Sequence, residues 1–275
     1  ALPFPEMSLL VWSPLAMAIN LDFASLDDST STFETFFSII LIVSVINNAT
    51  LVGVLALRKP QTKENIHQSI AALAEALEEA KLTKKPLSRK IPLKTRATQL
   101  LIVLAGLLYM PATQQAIAVI SCHPKISCLY DCYNEPSHDA LVAGGIILLL
   151  LVTLTTPIVF LVIVRRAMKQ YCEYLNSFDP IVQREHWVSY VSIITDPFLS
   201  LYSSLKFTFV YTNGYSLLMR AVLCTVFIAI YPGTTEQFVA LCSVYSLWAL
   251  FIAYSQPYQM AHLNQIVNVA TIIPL

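Results

Sequence analysis

Charged residues are scarce in this sequence, and so are glycines. Only 12% of the 275 residues are charged while 56% are hydrophobic, a balance outside the range of soluble globular domains. Six glycines leave little room for a phosphate-binding loop, and the sequence contains neither an HExxH motif nor a nucleophile paired with a base. We therefore expect no enzyme and no cofactor, and the zero net charge gives no reason to expect a nucleic-acid partner.

The sequence contains several long apolar runs with few or no charged residues. A helix needs about 20 apolar residues to cross the hydrocarbon core of a bilayer. Five runs approach or reach this length, and a sixth has the length of half a span. They cover residues 33–57, 97–120, 140–164, 215–231, 237–254 and 264–275. The sequence predicts an all-α fold, a polytopic transmembrane helical bundle of five to six spans, in a single module over 33–275.

The first 32 residues differ from this module. Residues 7–21 are apolar and contain Pro14, but the run is too short to span a bilayer comfortably. We interpret 1–32 as an outer-face segment whose helix lies at the membrane interface, or as the end of a span that begins earlier. The sequence shows no initiator Met and no cleavable signal pattern, so we expect it to be part of a longer polypeptide or complex.

The Lys and Arg residues predict the orientation of the spans. Ten of the 17 lie in 58–96 and five in 165–213. Short loops rich in Lys and Arg stay on the cytoplasmic side, so these two segments are predicted to be cytosolic, with 121–139 and 232–236 outside. We expect a multi-pass integral membrane protein of the plasma membrane or an exocytic-pathway membrane.

Residues 62–82 predict a cytosolic amphipathic helix, with apolar residues on one face and glutamates on the other. The apolar face carries Ile66, Ile70, Leu73 and Leu77. This face packs against another element of the same protein or binds a protein partner. A lone coiled coil is disfavoured because two heptads bury too little surface.

A dense basic cluster follows that helix. Its members are Lys84, Lys85, Arg89, Lys90, Lys94 and Arg96. Such juxtamembrane clusters attract anionic lipids of the cytosolic leaflet, by about 1 kcal/mol per charge near the surface. The cluster is therefore predicted to contact anionic lipids, to act as a simple topology signal, or both.

Cysteines concentrate in the predicted outer loop, which holds Cys122, Cys128 and Cys132. This placement indicates an oxidising lumen or exterior, where disulfide bonds form. Three is an odd number, so one thiol is free, buried or paired elsewhere. Zinc binding is the disfavoured alternative, raised because His123 and His138 flank the three thiols. We expect a disulfide bond and no metal.

Polar residues inside the predicted spans need an explanation, because they are expensive in lipid. Arg220 lies in the fourth span, about two helical turns from its cytosolic end. Its guanidinium either reaches the interface as an anchor or takes part in gating or a polar pathway. Asn47 and Asn48 require partners on other helices. Asn48-Ala49-Thr50 matches a glycosylation sequence, which we discount because it lies in the middle of a span.

Several short strings occur in a fixed order along the chain. They are Leu2-Pro3-Phe4-Pro5, Ile19-Asn20-Leu21-Asp22-Phe23, Leu107-Leu108-Tyr109, Thr156-Pro157-Ile158-Val159-Phe160, Leu201-Tyr202-Ser203-Ser204-Leu205-Lys206, Leu218-Met219-Arg220, Glu236-Gln237-Phe238, Gln256-Pro257-Tyr258 and Asn264. This order resembles the C-terminal multi-span module of large protist and algal surface proteins. It is also distantly similar to the fungal transient-receptor-potential-like (flavin carrier, polycystin-related) family.

The resemblance covers nearly the whole chain and implies particular residue roles. It implies a disulfide bond in the outer loop, which falls on Cys122 and Cys132 here, and a basic residue at Arg220. It also implies that Pro257 and Tyr258 close the fifth span. The extra Cys128 and the short outer loop depart from the family pattern.

Two functions follow from the resemblance. The first is a membrane module that anchors a larger cell-surface protein and links its extracellular part to the cytosol. The alternative is a transient-receptor-potential-like cation channel or transporter subunit. A channel needs a selectivity filter, and the five residues of 232–236 are too few for a pore loop. The sequence therefore favours the anchor.

Overall fold

The structure is a computed structural model that describes most of the chain. The described residues are 30–57, 93–122, 124–127, 130, 132, 134, 136–175, 179–194, 196–229, 234–260 and 263–265. The interfacial helix expected in 7–21 and the amphipathic helix expected over 62–82 lie outside these residues, as do residues 266–275 of the sixth span. These three expectations therefore stay predictions.

The described part of the chain is helical, and it contains no strand. The helices are α1 (Thr30–Leu57), α2 (Leu93–Ile120), α3 (Pro124–Ser127), α4 (Pro136–Leu148), α5 (Thr155–Leu175), α6 (Pro180–Ile193), α7 (Thr212–Ala229) and α8 (Thr235–Ser255). A π-helical turn over Leu149–Leu154 joins α4 to α5, and two 3₁₀ turns cover Leu199–Leu201 and Phe207–Phe209. The expected all-α fold is confirmed.

Within the described residues, four helices are long and apolar enough to cross a membrane. They are Phe33–Leu57, Leu93–Ile120, Pro136–Leu175 and Thr235–Ser255. The fourth predicted span, 215–231, begins inside α7, which is not among these four. Residues 230 and 231 of that predicted span lie outside the described residues, so α7 does not test its full length. The predicted count of five to six spans is therefore not confirmed, whereas a bundle containing several membrane-length helices is.

Consecutive long helices run in opposite directions. Phe37, near the start of α1, shares a buried cluster with Val119 near the end of α2. Leu55, near the end of α1, shares another with Ile102 near the start of α2. The antiparallel order continues in α7 and α8, where Gln237 Nε2 donates a hydrogen bond of 2.6 Å to the Phe227 carbonyl.

The ends of the antiparallel helices consequently lie at two opposite ends of the bundle, which we call the disulfide end and the basic end. At the disulfide end lie the starts of α1 and α4, together with the loop that contains Cys122 and Cys132. At the basic end lie the end of α1 and the basic pair at the middle of α5, where Arg166 Nη1 donates to the Leu55 carbonyl at 3.2 Å. The end of α1, after which one stretch rich in Lys and Arg begins, thus lies beside the basic pair that opens the other, as an alternating threading requires.

The helix that begins with α4 extends well beyond the predicted third span of 140–164. It continues through the π-helical turn and α5, from Pro136 to Leu175, over 40 residues. At 1.5 Å per residue this is about 60 Å, roughly twice the thickness of a hydrocarbon core. The last turns of α5 therefore form part of the segment that the sequence assigns to the cytosol.

Close packing between α4 and α1 depends on Gly144. A Cβ atom at this position would meet Cε1 of the buried Phe37 ring at 2.8 Å. We expect Gly144→Ala to destabilise the bundle by about 1–3 kcal/mol, because overpacking outweighs the gain of about 1 kcal/mol in helix propensity. Reversible unfolding in mixed detergent micelles measures the difference.

Gly53→Ala is the matched control, because a Cβ atom at Gly53 has no atom within 4 Å. It should be neutral or stabilise by up to about 1 kcal/mol, since only propensity changes. Equal effects of the two substitutions would contradict the packing role of Gly144.

Candidate functional site

The loop at the disulfide end is tied to both α1 and α2. Cys122 turns the chain directly after α2, with a φ of 48°. Its Sγ lies at disulfide-bonding distance from that of Cys132, and the two Cα atoms are 6.3 Å apart. The Tyr130 hydroxyl donates a hydrogen bond of 2.9 Å to Glu34 Oε1 on α1. The structure thus brings together the two cysteines that the resemblance pairs.

His138 lies beside this bond, in the first turn of α4, and is fully buried. Its ring centroid lies 6.4 Å from that of Tyr130. Cys122, Cys132 and His138 place three possible metal-ligand atoms within 4.8 Å of one another. His123, the other histidine that the sequence suggested, and Cys128 lie outside the described residues.

The predicted interhelical partners of the two asparagines are confirmed. Asn48 Nδ2 donates to the Leu151 carbonyl at 2.7 Å and to Thr156 Oγ1 at 2.8 Å. Asn47 Nδ2 donates to the Leu101 carbonyl at 3.3 Å. Asn48 is therefore bonded to the π-helical turn and the first turn of α5, and its 4% exposure is consistent with discounting the glycosylation sequence.

Pro157 explains why a side chain of α2 donates a hydrogen bond to the π-helical turn. A proline has no N–H to donate to the carbonyl four residues earlier, so the Thr153 carbonyl loses that helical partner. The Tyr109 hydroxyl on α2 donates to this carbonyl at 3.0 Å. Thr113 Oγ1 and Thr153 Oγ1 are also hydrogen-bonded at 3.0 Å. Side chains from α2 thus satisfy a backbone group that lipid could not.

We expect Tyr109→Phe to destabilise the bundle by about 1–3 kcal/mol, because it leaves the buried Thr153 carbonyl without its side-chain donor. Pro157→Ala supplies a backbone N–H at the position that can reach this carbonyl. The effect of Tyr109→Phe should therefore be smaller in a Pro157→Ala background. A double-mutant cycle of unfolding free energies measures the coupling, and additive effects would contradict this account.

Arg220 lies on α7 and is half-buried. Its charge interacts with Tyr258, Tyr109 and Tyr245, which come from three different parts of the chain. Burial raises the pKa of Tyr258, against the opposing effect of the nearby Arg220 charge. The phenol of Tyr258 therefore stays protonated at physiological pH. The sequence did not predict this electrostatic coupling between Arg220 and the three tyrosines.

Two strings of the resemblance meet at the basic end. Leu205 and Tyr258 form an isolated antiparallel bridge between the segment before α7 and the segment after α8. The Lys206 N–H donates to the Pro257 carbonyl, and the Gln259 N–H donates to the Ser204 carbonyl, both at 2.8 Å. We call residues 204–206 and 257–259 the clasp.

Asn264, the last member of the resemblance, holds one side of the clasp. Its Oδ1 accepts from the Tyr258 N–H at 3.0 Å, and its Nδ2 donates to the Tyr258 carbonyl at 2.9 Å. The side chain thus pairs with both backbone groups of one residue. Pro257, Tyr258 and Asn264 are therefore one local unit, although the resemblance implied only that the Pro-Tyr pair closes a span.

An aromatic cluster lies next to the clasp, at the basic end. Trp187 on α6 is 1% exposed, and its Nε1 donates to the Leu205 carbonyl at 2.9 Å. Its ring centroid lies 5.1 Å from that of Tyr171, at the end of the long helix. The rings that surround it are those of Tyr171, Tyr190, Tyr202 and Phe207. We call Trp187 and these four residues the aromatic cluster.

The turn after α6 is organised by a buried carboxylate. Asp196 is 1% exposed, and its Oδ1 accepts from the Phe198 N–H at 2.9 Å. Its Oδ2 accepts a hydrogen bond from the Tyr202 hydroxyl. This carboxylate therefore fixes Phe198 and Tyr202, both of which are fully buried in the core at the basic end. No sequence pattern indicates a role for Asp196.

Two members of the predicted lipid-binding cluster are described. Lys94 and Arg96 lie in the first turn of α2 and are exposed. Lys84, Lys85, Arg89 and Lys90 lie outside the described residues. An exposed cation at the start of a membrane-length helix is compatible with contact to lipid headgroups, which stays a prediction.

Comparison with known proteins adds no relative. The chain matches no protein-family model, no curated protein and no solved structure. In the described residues, four helices have the length and apolar composition needed to cross a membrane. The suggested family relationships therefore rest on the sequence strings alone.

Proposed function

We propose that the chain is a polytopic membrane module that anchors a larger cell-surface protein and links its extracellular part to the cytosol. In this proposal the disulfide end faces outward and the basic end faces the cytosol, following the distribution of Lys and Arg. The resemblance to the membrane part of large surface proteins supports the anchoring role. The contacts at the two ends of one helix support the linking role.

The observation that carries the proposal is the continuous helical segment from Pro136 to Leu175, which includes the π-helical turn. Its first turn contains His138, which packs beside the loop closed by Cys122 and Cys132. Its final turns contain Tyr171, whose ring packs on Trp187 in the aromatic cluster. A displacement of the outer loop is therefore passed along one helix to the opposite end of the bundle.

Anchoring and orientation can be tested in intact cells. A folded reporter domain is fused ahead of Ala1, and protease is added from outside. We expect the reporter to be released while an epitope inserted after Lys85 stays protected until the cells are permeabilised. Cleavage near Lys85 in intact cells would invert the orientation, and release of the chain by alkaline carbonate would refute membrane anchoring.

Linkage between the two ends can be tested through tryptophan fluorescence. Replacing Trp12 and Trp248 by Phe leaves Trp187 as the single reporter. In nanodiscs, reduction of the Cys122–Cys132 bond should change the emission of Trp187, because the loop and the reporter contact the same helix. Cys132→Ser should give the reduced spectrum with or without reductant. An unchanged spectrum in a protein whose reduced thiols have been counted would refute the linking role.

A cation channel is the second candidate, favoured by polar side chains inside the bundle. Asn47, Asn48, Thr113 and Thr153 are all buried between membrane-length helices. Purified protein in planar bilayers separates the two functions. Reproducible unitary currents that change in Arg220→Ala would replace the anchor with a channel, whereas an absence of currents from protein that passes the fluorescence test supports the anchor.

A further inference from the structure

The outer loop carries two cysteines and a histidine in an arrangement that suits either a disulfide bond or a metal site. Sγ of Cys122, Sγ of Cys132 and a ring nitrogen of His138 lie within 4.8 Å of one another. In a tetrahedral zinc site, ligand atoms at 2.0–2.3 Å from the metal lie about 3.5–3.8 Å apart. Opening the sulfur–sulfur bond therefore leaves three ligand atoms that need only small displacements to surround one ion.

We propose that the reduced form of this loop binds one zinc ion through Cys122, Cys132 and His138. Two thiolates and an imidazole are ligands that zinc prefers, and three protein ligands leave a fourth position for water. Because the same sulfur atoms form the disulfide bond, the oxidised loop cannot bind the ion. The loop thus has two closed forms, one covalent and one metal-bound, and the redox state selects between them.

The interconversion balances with a dithiol as the reductant. The dithiol gives two electrons and two protons to the Cys122–Cys132 bond and becomes a disulfide itself. Zinc then displaces the two thiol protons and binds the two thiolates. Oxidation by a disulfide compound reverses the first step and releases the ion. Zinc binding is therefore expected only where dithiols keep the loop reduced.

The surroundings hold the three ligands in place on separate elements. Cys122 follows α2 directly, and His138 is in the first turn of α4. His138 is fully buried beside Tyr130, whose hydroxyl is bonded to Glu34 on α1. Two ligands are therefore positioned by the ends of membrane-length helices. Only Cys132 depends on the loop itself, so metal binding needs little reorganisation of the bundle.

Cobalt absorption provides a direct test on the full chain in detergent. The protein is reduced with a phosphine, and Co²⁺ is titrated while thiolate-to-cobalt charge transfer is recorded. We expect one Co²⁺ per chain, displaced by one equivalent of Zn²⁺, and no signal from the oxidised protein. Cys132→Ser and His138→Gln should weaken binding at least ~10-fold. Cys172→Ser, which removes a thiol at the basic end, should leave binding unchanged.

Unfolding of the unaltered protein gives a second readout, which does not depend on whether variants fold. Zinc should raise the unfolding temperature of the reduced protein and leave that of the oxidised protein unchanged, because only the reduced loop binds. Equal cobalt binding by oxidised protein, or full binding by folded His138→Gln, would overturn the proposal. So would a zinc-independent unfolding temperature of the reduced protein. None of these outcomes bears on the anchoring role.

Discussion

Replacement of Trp187 by Ala is expected to lower the unfolding free energy by about 3–5 kcal/mol. Trp187 is 1% exposed and packs on four aromatic rings, so its removal leaves a large cavity in the core at the basic end. The Leu205 carbonyl also loses the hydrogen bond from the indole Nε1. Reversible unfolding in mixed micelles, followed by circular dichroism, measures the loss.

Trp187→Phe separates the two contributions. The smaller ring retains much of the packing but has no N–H to donate to Leu205. We therefore expect a smaller loss for Trp187→Phe than for Trp187→Ala. Trp248→Phe is the matched control, because Trp248 is only partly buried and lies on the outer helix α8. A loss below about 1 kcal/mol for Trp187→Ala would contradict its central place in the aromatic cluster.

Asp196→Ala is expected to cost about 3 kcal/mol or more, because it removes two hydrogen bonds to a charged group in the core. The Tyr202 hydroxyl and the Phe198 N–H would both lose their carboxylate acceptor. Unfolding free energy in micelles again gives the magnitude. Protease susceptibility of the turn after α6 should also increase, since this carboxylate orders the turn.

The outcome for Asp196→Asn distinguishes hydrogen bonding from charge. Asparagine retains an oxygen that can accept from the Phe198 N–H, so we expect it to restore part of the stability lost in Asp196→Ala. The matched surface control is Asp179→Ala, because Asp179 is exposed and caps α6 through the Ile181 N–H at 2.9 Å. This cap is worth about 1 kcal/mol. An equal loss at both positions would contradict the central role of the buried carboxylate.

Apolar runs predicted the long helices because each run is a contiguous stretch of the same residues that form the helix. The run 33–57 lies within α1, and 97–120 lies within α2. Lipid demands that helices satisfy their own backbone groups, so length and apolarity alone identify such segments. The fourth predicted span, 215–231, is only partly tested, because its residues 230 and 231 lie outside the described part of the chain.

Contacts between distant residues could not be read from the sequence. The clasp joins residues that are 53 positions apart, Leu205 and Tyr258, through main-chain hydrogen bonds that no side-chain pattern records. Likewise, nothing in the sequence identified Tyr109 as the donor to the Thr153 carbonyl. Such pairings depend on how helices pack in three dimensions, whereas periodicity reports only one helix at a time.

Main-chain pairing at residues 204–206 and 257–259 has a consequence for mutational tolerance. Both hydrogen bonds use backbone atoms, so substitutions at the half-buried Ser204 and Lys206 leave the join between the α7 and α8 ends intact. Proline is the exception at Lys206 and Gln259, whose N–H groups are the two donors in that join. A mutational scan should therefore accept varied side chains at Ser204 and Lys206, reject proline at the two donors, and be selective at Leu205 and Tyr258, whose side chains are buried.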